Sequence, residues 1–183
     1  MSHPLATRTS AATLQLVAPR AVDLPALLAF ELENRAFFEA TINARPADYY
    51  SAEGVGAAIE QAQREARDDR AYQYLLWDSG ALVGRVNLTK VRRAHFHSAE
   101  VGYRIAQSAG GRGLASEAVR QVLAKAFGEH GLVRVEATAR PENEGSTRVL
   151  QKNGFTPFGR SHRSFELAGI WYDLLHFERR AEA

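Results

Sequence analysis

The chain contains no cysteine. That excludes a disulfide framework, a thiolate nucleophile and any cysteine-ligated zinc or iron–sulfur centre, and it suits a cytoplasmic protein. Long apolar runs are also missing, and no segment approaches the roughly 18 residues needed by a membrane-spanning helix. Nor is there an excess of one charge. Lys and Arg number 23 against 21 Asp and Glu, a formal net charge of +2, so charge gives no indication of a nucleic-acid partner. Residues 1–12 lack the apolar core of a secretory signal and read as a flexible tail ahead of one domain over 13–180. What is present is an ordinary globular composition, 45% hydrophobic and 24% charged over 183 residues, long enough to bury a core without covalent staples.

The order of elements follows from periodicity and punctuation. Leu14 to Ala18 reads as a strand, and Asp23 with Pro25 opens a helix with Leu27, Leu28 and Leu32 on one side. Residues 34–50 mix aromatics, arginines and a proline and keep neither period, which predicts loop with short helical turns. Ser51 opens a polar helix over 51–69. Tyr72 to Trp77 and Ala81 to Val91 flank Asp78-Ser79-Gly80 as a hairpin. A strand over 99–106, a helix over 114–127, a strand over 133–139 and a helix over 144–152 follow, with Gly154 as a C-terminal stop. The end predicts strands at 155–160, 164–167 and 171–177. The sum is one α/β (α+β) domain around a mainly antiparallel sheet, not a doubly wound dinucleotide fold.

The sharpest local signal is Gly110-Gly111-Arg112-Gly113-Leu114-Ala115, between a strand and an amphipathic helix. Such glycines let the backbone approach a ligand, and a helix N-terminus presents unpaired N–H groups suited to phosphate. The same segment also reads as a plain flexible loop. It matches neither the Walker pattern nor the dinucleotide fingerprint. His95 and His97 form a His-x-His pair without a third ligand nearby, so a metal site is not expected.

The run AEVGYRIAQSAGGRGLASEA, residues 99–118, resembles the coenzyme A-binding motif of the GNAT family of N-acetyltransferases. In that family a loop of the form Gln/Arg-x-x-Gly-x-Gly/Ala wraps the pyrophosphate. Gly110 stands at the Gln/Arg position, a departure, while Gly113 and Ala115 match. Asn143-Glu144-Gly145-Ser146 with Leu150 and Gly154-Phe155 resembles a second family signature. Gly169-Ile170-Trp171-Tyr172-Asp173, Asn34-Arg35-Ala36-Phe37, and Asn87 to Val91 with Phe96 resemble segments of the RimJ/RimL branch, which acetylates N-termini of ribosomal proteins.

The resemblance implies the acyl-CoA N-acyltransferase fold, acetyl-CoA as the donor and direct attack by an amine. It places Tyr103, Arg104 and Ile105 beside the acetyl group, and Gly110, Gly111, Arg112, Gly113, Leu114, Ala115 and Ser116 around the pyrophosphate. Asn143 holds the pantetheine arm or only caps a helix. Ser146 donates a proton to the departing sulfur or is likewise a cap. Glu100 is the first candidate base, Glu136 the second and Glu166 a third that also lines the acceptor groove; a salt-bridged surface role competes for Glu100. Asn34, Arg35, Phe37, Phe38, Arg45 and Tyr50 are candidates for the lid and floor of that groove, with Phe37 the best candidate for a core anchor. Asn87 and Phe96 are expected peptide contacts, and Asp173 orients the amine or closes a structural hydrogen bond.

The implied activity is acetyl transfer to a primary amine, foremost a protein N-terminus such as that of a ribosomal protein. The alternatives are a small amine (polyamine, amino acid or aminoglycoside) or a non-catalytic acyl-CoA sensor. An acceptor peptide calls for an open groove, whereas a small amine calls for a closed pocket lined with carboxylates. No nucleic-acid or membrane partner is expected, and a monomer or a homodimer both fit.

Overall fold

Alternating apolar residues pair into a seven-stranded sheet ordered β1-β2-β3-β4-β5-β7-β6. The strands are β1 (Leu14–Val17), β2 (Tyr72–Asp78), β3 (Ala81–Arg92), β4 (Ser98–Ile105), β5 (Arg134–Ala139), β6 (Thr156–Leu167) and β7 (Ile170–Arg180). Every neighbouring pair is antiparallel except β4 and β5, which run parallel. The computed structural model describes residues 14–182, so the expected tail, 1–12, lies outside the described residues. Among the described residues, no helix is long and apolar enough to cross a membrane.

The helices form where the sequence supplies an apolar stripe and a start signal. They are α1 (Leu24–Glu33), α2 (Arg35–Glu39), α3 (Ala52–Arg67), α4 (Leu114–Ala124) and α5 (Glu144–Lys152). Ser51 caps α3 by accepting from the Gly54 N–H at 3.0 Å, and Val55, Ile59 and Ala62 form its buried stripe. On α4 the buried residues are Ala118, Val119, Val122 and Leu123, at the same spacing. Residues 34–50 hold only the short α2 and a tight turn at Ala47–Tyr50, as their lack of period predicts.

The late strands differ from expectation. Two separate pieces were expected between 155 and 167, but β6 runs through both. The join is an irregularity between Ser161 and Phe165, where Arg163 takes a left-handed φ of 47°. Asp173 on β7 holds it, accepting from the Arg163 N–H at 2.9 Å and from Arg160 Nε at 2.9 Å. These donors, with His162, keep the Asp173 carboxyl at about 2.

The sheet has two differently furnished faces. Tyr74 and Tyr103 point to one, meeting His130 beyond α4 and Ser146 on α5. Arg85 on β3 and Arg104 on β4 point to the other, where both meet Glu31 of α1. Glu31 is only 1% exposed, yet it lies on the apolar stripe of α1 with Leu27 and Phe30. Arg45, from the loop after α2, approaches the same carboxylate at 3.8 Å, and Tyr49 donates to it at 3.2 Å. Burial opposes the charge of Glu31, but the Arg85, Arg104 and Arg45 guanidiniums outweigh it and hold the carboxyl below its ordinary value.

A folded-state pKa below the unfolded one stabilises the fold above the ordinary carboxylate range, and this stabilisation is lost as pH falls through the lowered value. Glu31→Gln keeps the volume but leaves three guanidiniums around a neutral amide. It is expected to cost about 3–5 kcal/mol in urea unfolding at pH 7. The difference from the parent chain should shrink as the buffer is acidified below pH 4.

Candidate active site

The parallel ladder between β4 and β5 is short. It runs from Ser98–Arg134 to Glu100–Glu136, although β4 continues to Ile105 and β5 to Ala139. Beyond Glu100 the two strands part, while β4 stays paired with β3. The edge of Val101 to Ile105 that faces β5 therefore has no strand partner, and its backbone groups are available to an extended ligand entering the wedge.

At the end of β4 the chain makes a tight turn at Gln107–Ala109 and enters the glycine segment. Gly111 and Gly113 have φ of 74° and 77°, a left-handed backbone that other residues rarely adopt. Gly113 is the N-cap of α4. The N–H groups of residues 111–116 donate to no acceptor among the described residues, so six amides lie unpaired at the positive end of the α4 dipole. Such a run of amides has the character of an anion cradle. Gly110 itself donates to the Gln107 carbonyl at 3.2 Å. Arg112, expected to add its charge here, instead reaches back to Asp78 at 2.6 Å and ties the loop to the β2–β3 hairpin. Ser116 accepts from Asn153 Nδ2 at 3.1 Å, fixing the start of α4 against the end of α5. Leu114 and Ala115 are half-buried in the first turn. A groove of about 560 Å³ between α4 and α5 opens beside this turn, with Lys152 and Arg179 in its wall.

The wedge carries two hydroxyls. Tyr103 Oη lies 2.8 Å from Ser146 Oγ. Burial pushes the Tyr103 phenol above its ordinary value, so it stays protonated at neutral pH. Asn143 accepts from the Ser146 N–H at 3.0 Å through its side-chain oxygen, which makes it a helix cap, while its Nδ2 donates to nothing among the described residues. Capping and ligand binding are thus compatible at this residue.

Glu100 and Glu136 stand side by side on the last rung before the wedge. Glu100 pairs with the exposed Lys90 at 2.9 Å, and Glu136 with Arg134 at 3.0 Å and Arg92 at 3.3 Å. Glu166 is exposed near the tip of the β6–β7 hairpin, where Ile170 to Leu174 extend past the end of β5. Glu166 lies well away from that rung. Asp173 is occupied by Arg160, His162 and the Arg163 N–H, so of the two roles expected for it the structure displays the structural hydrogen bond.

The expected acceptor residues divide. Asn34 is buried, donating to the Phe30 carbonyl at 2.8 Å and accepting from the Gln107 N–H at 2.9 Å; it fastens α1 to the end of β4 and, with Glu33, Gln107 and Ser108, lines a small pocket there. Phe38 is core, packed on Phe30, whereas Phe37 is 43% exposed, the reverse of the expected assignment. Arg35 is held by Glu39 and lies over the Tyr50 ring. Arg45 borders the Glu31 cluster, with its guanidinium 4.2 Å from the Tyr49 ring centroid. Asn87 faces Gly102 of β4, and its buried Oδ1 has no hydrogen-bond partner. Phe96 is exposed in the β3–β4 turn beneath Arg92. Among the described residues no group of three His, Asp or Glu could hold a metal.

Glu31 was missed. Its signal is present in the sequence, because Leu27, Phe30, Glu31 and Asn34 share one helical face, and a carboxylate on such a stripe needs a cationic partner.

Comparison with known proteins agrees with this geometry. The model of the acetyltransferase (GNAT) domain matches residues 13–156. The probable N-acetyltransferase YjcK of Bacillus subtilis is 36% identical over 148 residues, covering 80% of this chain and 82% of its own. The structure of Mycobacterium smegmatis RimJ in complex with CoA-disulfide superposes with a TM-score of 0.85 at 28% identity, covering 92% of this chain and 82% of that one. The ribosomal-protein-S5-alanine acetyltransferase of Vibrio fischeri superposes at 0.88 with 21% identity, over 93% and 97% of the two chains. A wedge between parallel strands, an amide cradle at a helix start and a family match over most of the sequence lead to one conclusion: the chain belongs to the GNAT acetyltransferases, enzymes that move the acetyl group of acetyl-CoA to an amine.

Proposed function

We propose that the acceptor is the α-amine of a peptide or protein N-terminus. The observation that carries this reading is the character of the sheet face opposite α4 and α5. Around the Glu100–Glu136 rung it exposes Phe96 and Phe158, and Trp171 is exposed on the overhanging hairpin. Aromatic surface of this kind suits an extended chain laid across it. Further along the same face Arg45 and Arg104 are partly exposed beside Glu31. The likeness to the ribosomal-protein-S5-alanine acetyltransferase agrees with a protein N-terminus.

The residues divide the work as follows. Acetyl-CoA supplies an activated thioester. The amides of residues 111–116 would hold its phosphates, with Lys152 and Arg179 adding positive charge alongside, and the unpaired edge of β4 and Asn143 Nδ2 would hold its extended arm. Amides of β4 at the wedge polarise the carbonyl that the amine attacks. Glu100 accepts the amine's proton, directly or through a water, because a protonated amine has no lone pair to attack with. The Tyr103–Ser146 pair, with its hydroxyls 2.8 Å apart, would return a proton to the departing sulfur, burial keeping the Tyr103 phenol protonated. This differs from the expectation that Ser146 acts alone.

Three outcomes test this reading. Acetyl-CoA-dependent thiol release should be greater with short peptides than with polyamines, amino acids or aminoglycosides; release with small amines alone would overturn the peptide assignment. Glu100→Gln should lower kcat by about 100-fold while acetyl-CoA affinity, measured by calorimetry, stays nearly unchanged. Normal turnover in that variant would move the proton acceptor to Glu136. Tyr103→Phe and Ser146→Ala should each slow transfer by about tenfold, and the double variant little more, because the two hydroxyls act as one relay.

A further inference from the structure

The Glu31 cluster holds more positive charge than its own structure uses. Three guanidiniums surround one carboxylate, and the nearest further acid on α2, Glu39, is already held by Arg35 at 2.8 Å and Tyr50 at 3.2 Å. The three arginines are not equivalent. Arg85 is buried and fully engaged, donating to Glu31, to Tyr49 Oη at 2.9 Å and to Gln73 at 2.9 Å. Arg104 reaches Glu31 through one long contact of 3.4 Å, and Arg45 comes no closer than 3.8 Å. Arg45 Nε is buried without any hydrogen-bond partner. Both side chains also open to the surface, Arg45 at 27% and Arg104 at 22% exposed. Burial, with Arg45 and Arg85 nearby, lowers Arg104 to about 10 despite the attraction of Glu31. The pair is held in place by aromatic rings, Arg45 over Tyr49 and Arg104 5.1 Å from the centroid of Phe38.

We propose that Arg45 and Arg104 form an anion subsite for the acetyl acceptor and select N-termini that carry an acidic side chain in the first few residues. The proposal rests on the peptide reading above and adds a sequence preference to it. Its geometry follows from β4. Glu100, Gly102 and Arg104 alternate onto the same face, and Arg104 bonds there to α1. Four residues of strand separate the Glu100 and Arg104 backbones by roughly 13 Å, a span within reach of a peptide amine and an acidic side chain in the first few residues. An amine at Glu100 would therefore meet the guanidiniums with a carboxylate one or two residues further along the peptide. The α-carboxylate of a free amino acid lies too close to its own amine to bridge the two positions. Two under-bonded guanidiniums at low dielectric gain charge-assisted hydrogen bonds from such a group, and a basic residue there is rejected.

The test is kinetic, using the full chain and peptides that share their first residue. Their second and third positions carry Asp or Glu, the isosteric Asn or Gln, or Lys. The parent enzyme should favour the acidic peptides over the amides in kcat/KM by about tenfold, mainly through KM, with the preference falling at high salt. Arg45→Gln should bring that ratio close to one, and Arg45→Lys, which keeps the charge, should retain part of it. Thermal melts and acetyl-CoA titration of both variants establish that they are folded. Equal kcat/KM for acid and amide peptides in the parent chain would overturn the subsite while leaving the peptide assignment standing. If peptides are inert but small amines bearing a distant carboxylate react in an Arg45-dependent way, the peptide assignment falls and the anion subsite remains.

Discussion

The unequal pairing of β4 is the constraint on which the site depends. On one side β4 stays paired with β3 as far as Ile105; on the other its ladder with β5 ends at the Glu100–Glu136 rung. One strand thus has one edge built into the sheet and the other left open beyond Glu100. A strand buried on both sides would have no backbone groups to offer, and one unpaired on both sides would lack a fixed geometry. The parallel direction matters too. A parallel neighbour needs a long crossover, and here that crossover contains the glycine loop and α4. The anion cradle and the open edge therefore arise from the same turn of the chain.

The two faces of the sheet then take different work. On the α4 and α5 face, Tyr103 meets Ser146, and the Asn143 cap and the Ser116–Asn153 contact fix the two helices against each other. On the α1 face, Glu31 gathers Arg85, Arg104 and Arg45 from a strand, a second strand and a loop. The desolvation of that carboxylate makes the cluster a poor source of net stability compared with an apolar core. Its value lies in specificity: any arrangement that moves α1 away from β3 and β4 leaves a buried charge alone. The surplus of positive charge follows from the same assembly.

Local signals made much of this legible beforehand. The α3 helix is announced by Ser51 and the Val55–Ile59–Ala62 stripe, and the turn into α4 by glycines at a left-handed φ that other residues adopt at a cost. The interior strand boundaries hold for the same reason, since period and turn residues act over a few positions. Asp173 and β6 show where that reach ends. The sequence reads as two short strands because Arg163 interrupts the pattern, and only a carboxylate from the neighbouring strand, ten residues away, makes the interruption a bulge within one strand.

The sequence by itself determined most of the elements, their order, the glycine turn ahead of α4 and the family resemblance, because helix stripes, caps and glycine turns are properties of contiguous residues. Tertiary structure decided which of two adjacent phenylalanines enters the core, that Asn34 is a fastener, that Arg112 serves the β2–β3 hairpin, and that Glu31 collects three arginines. It also decided where β4 and β5 part. Each of these depends on which distant segment packs against a residue, and burial changes the cost of a charge or a polar group by more than any local preference can supply.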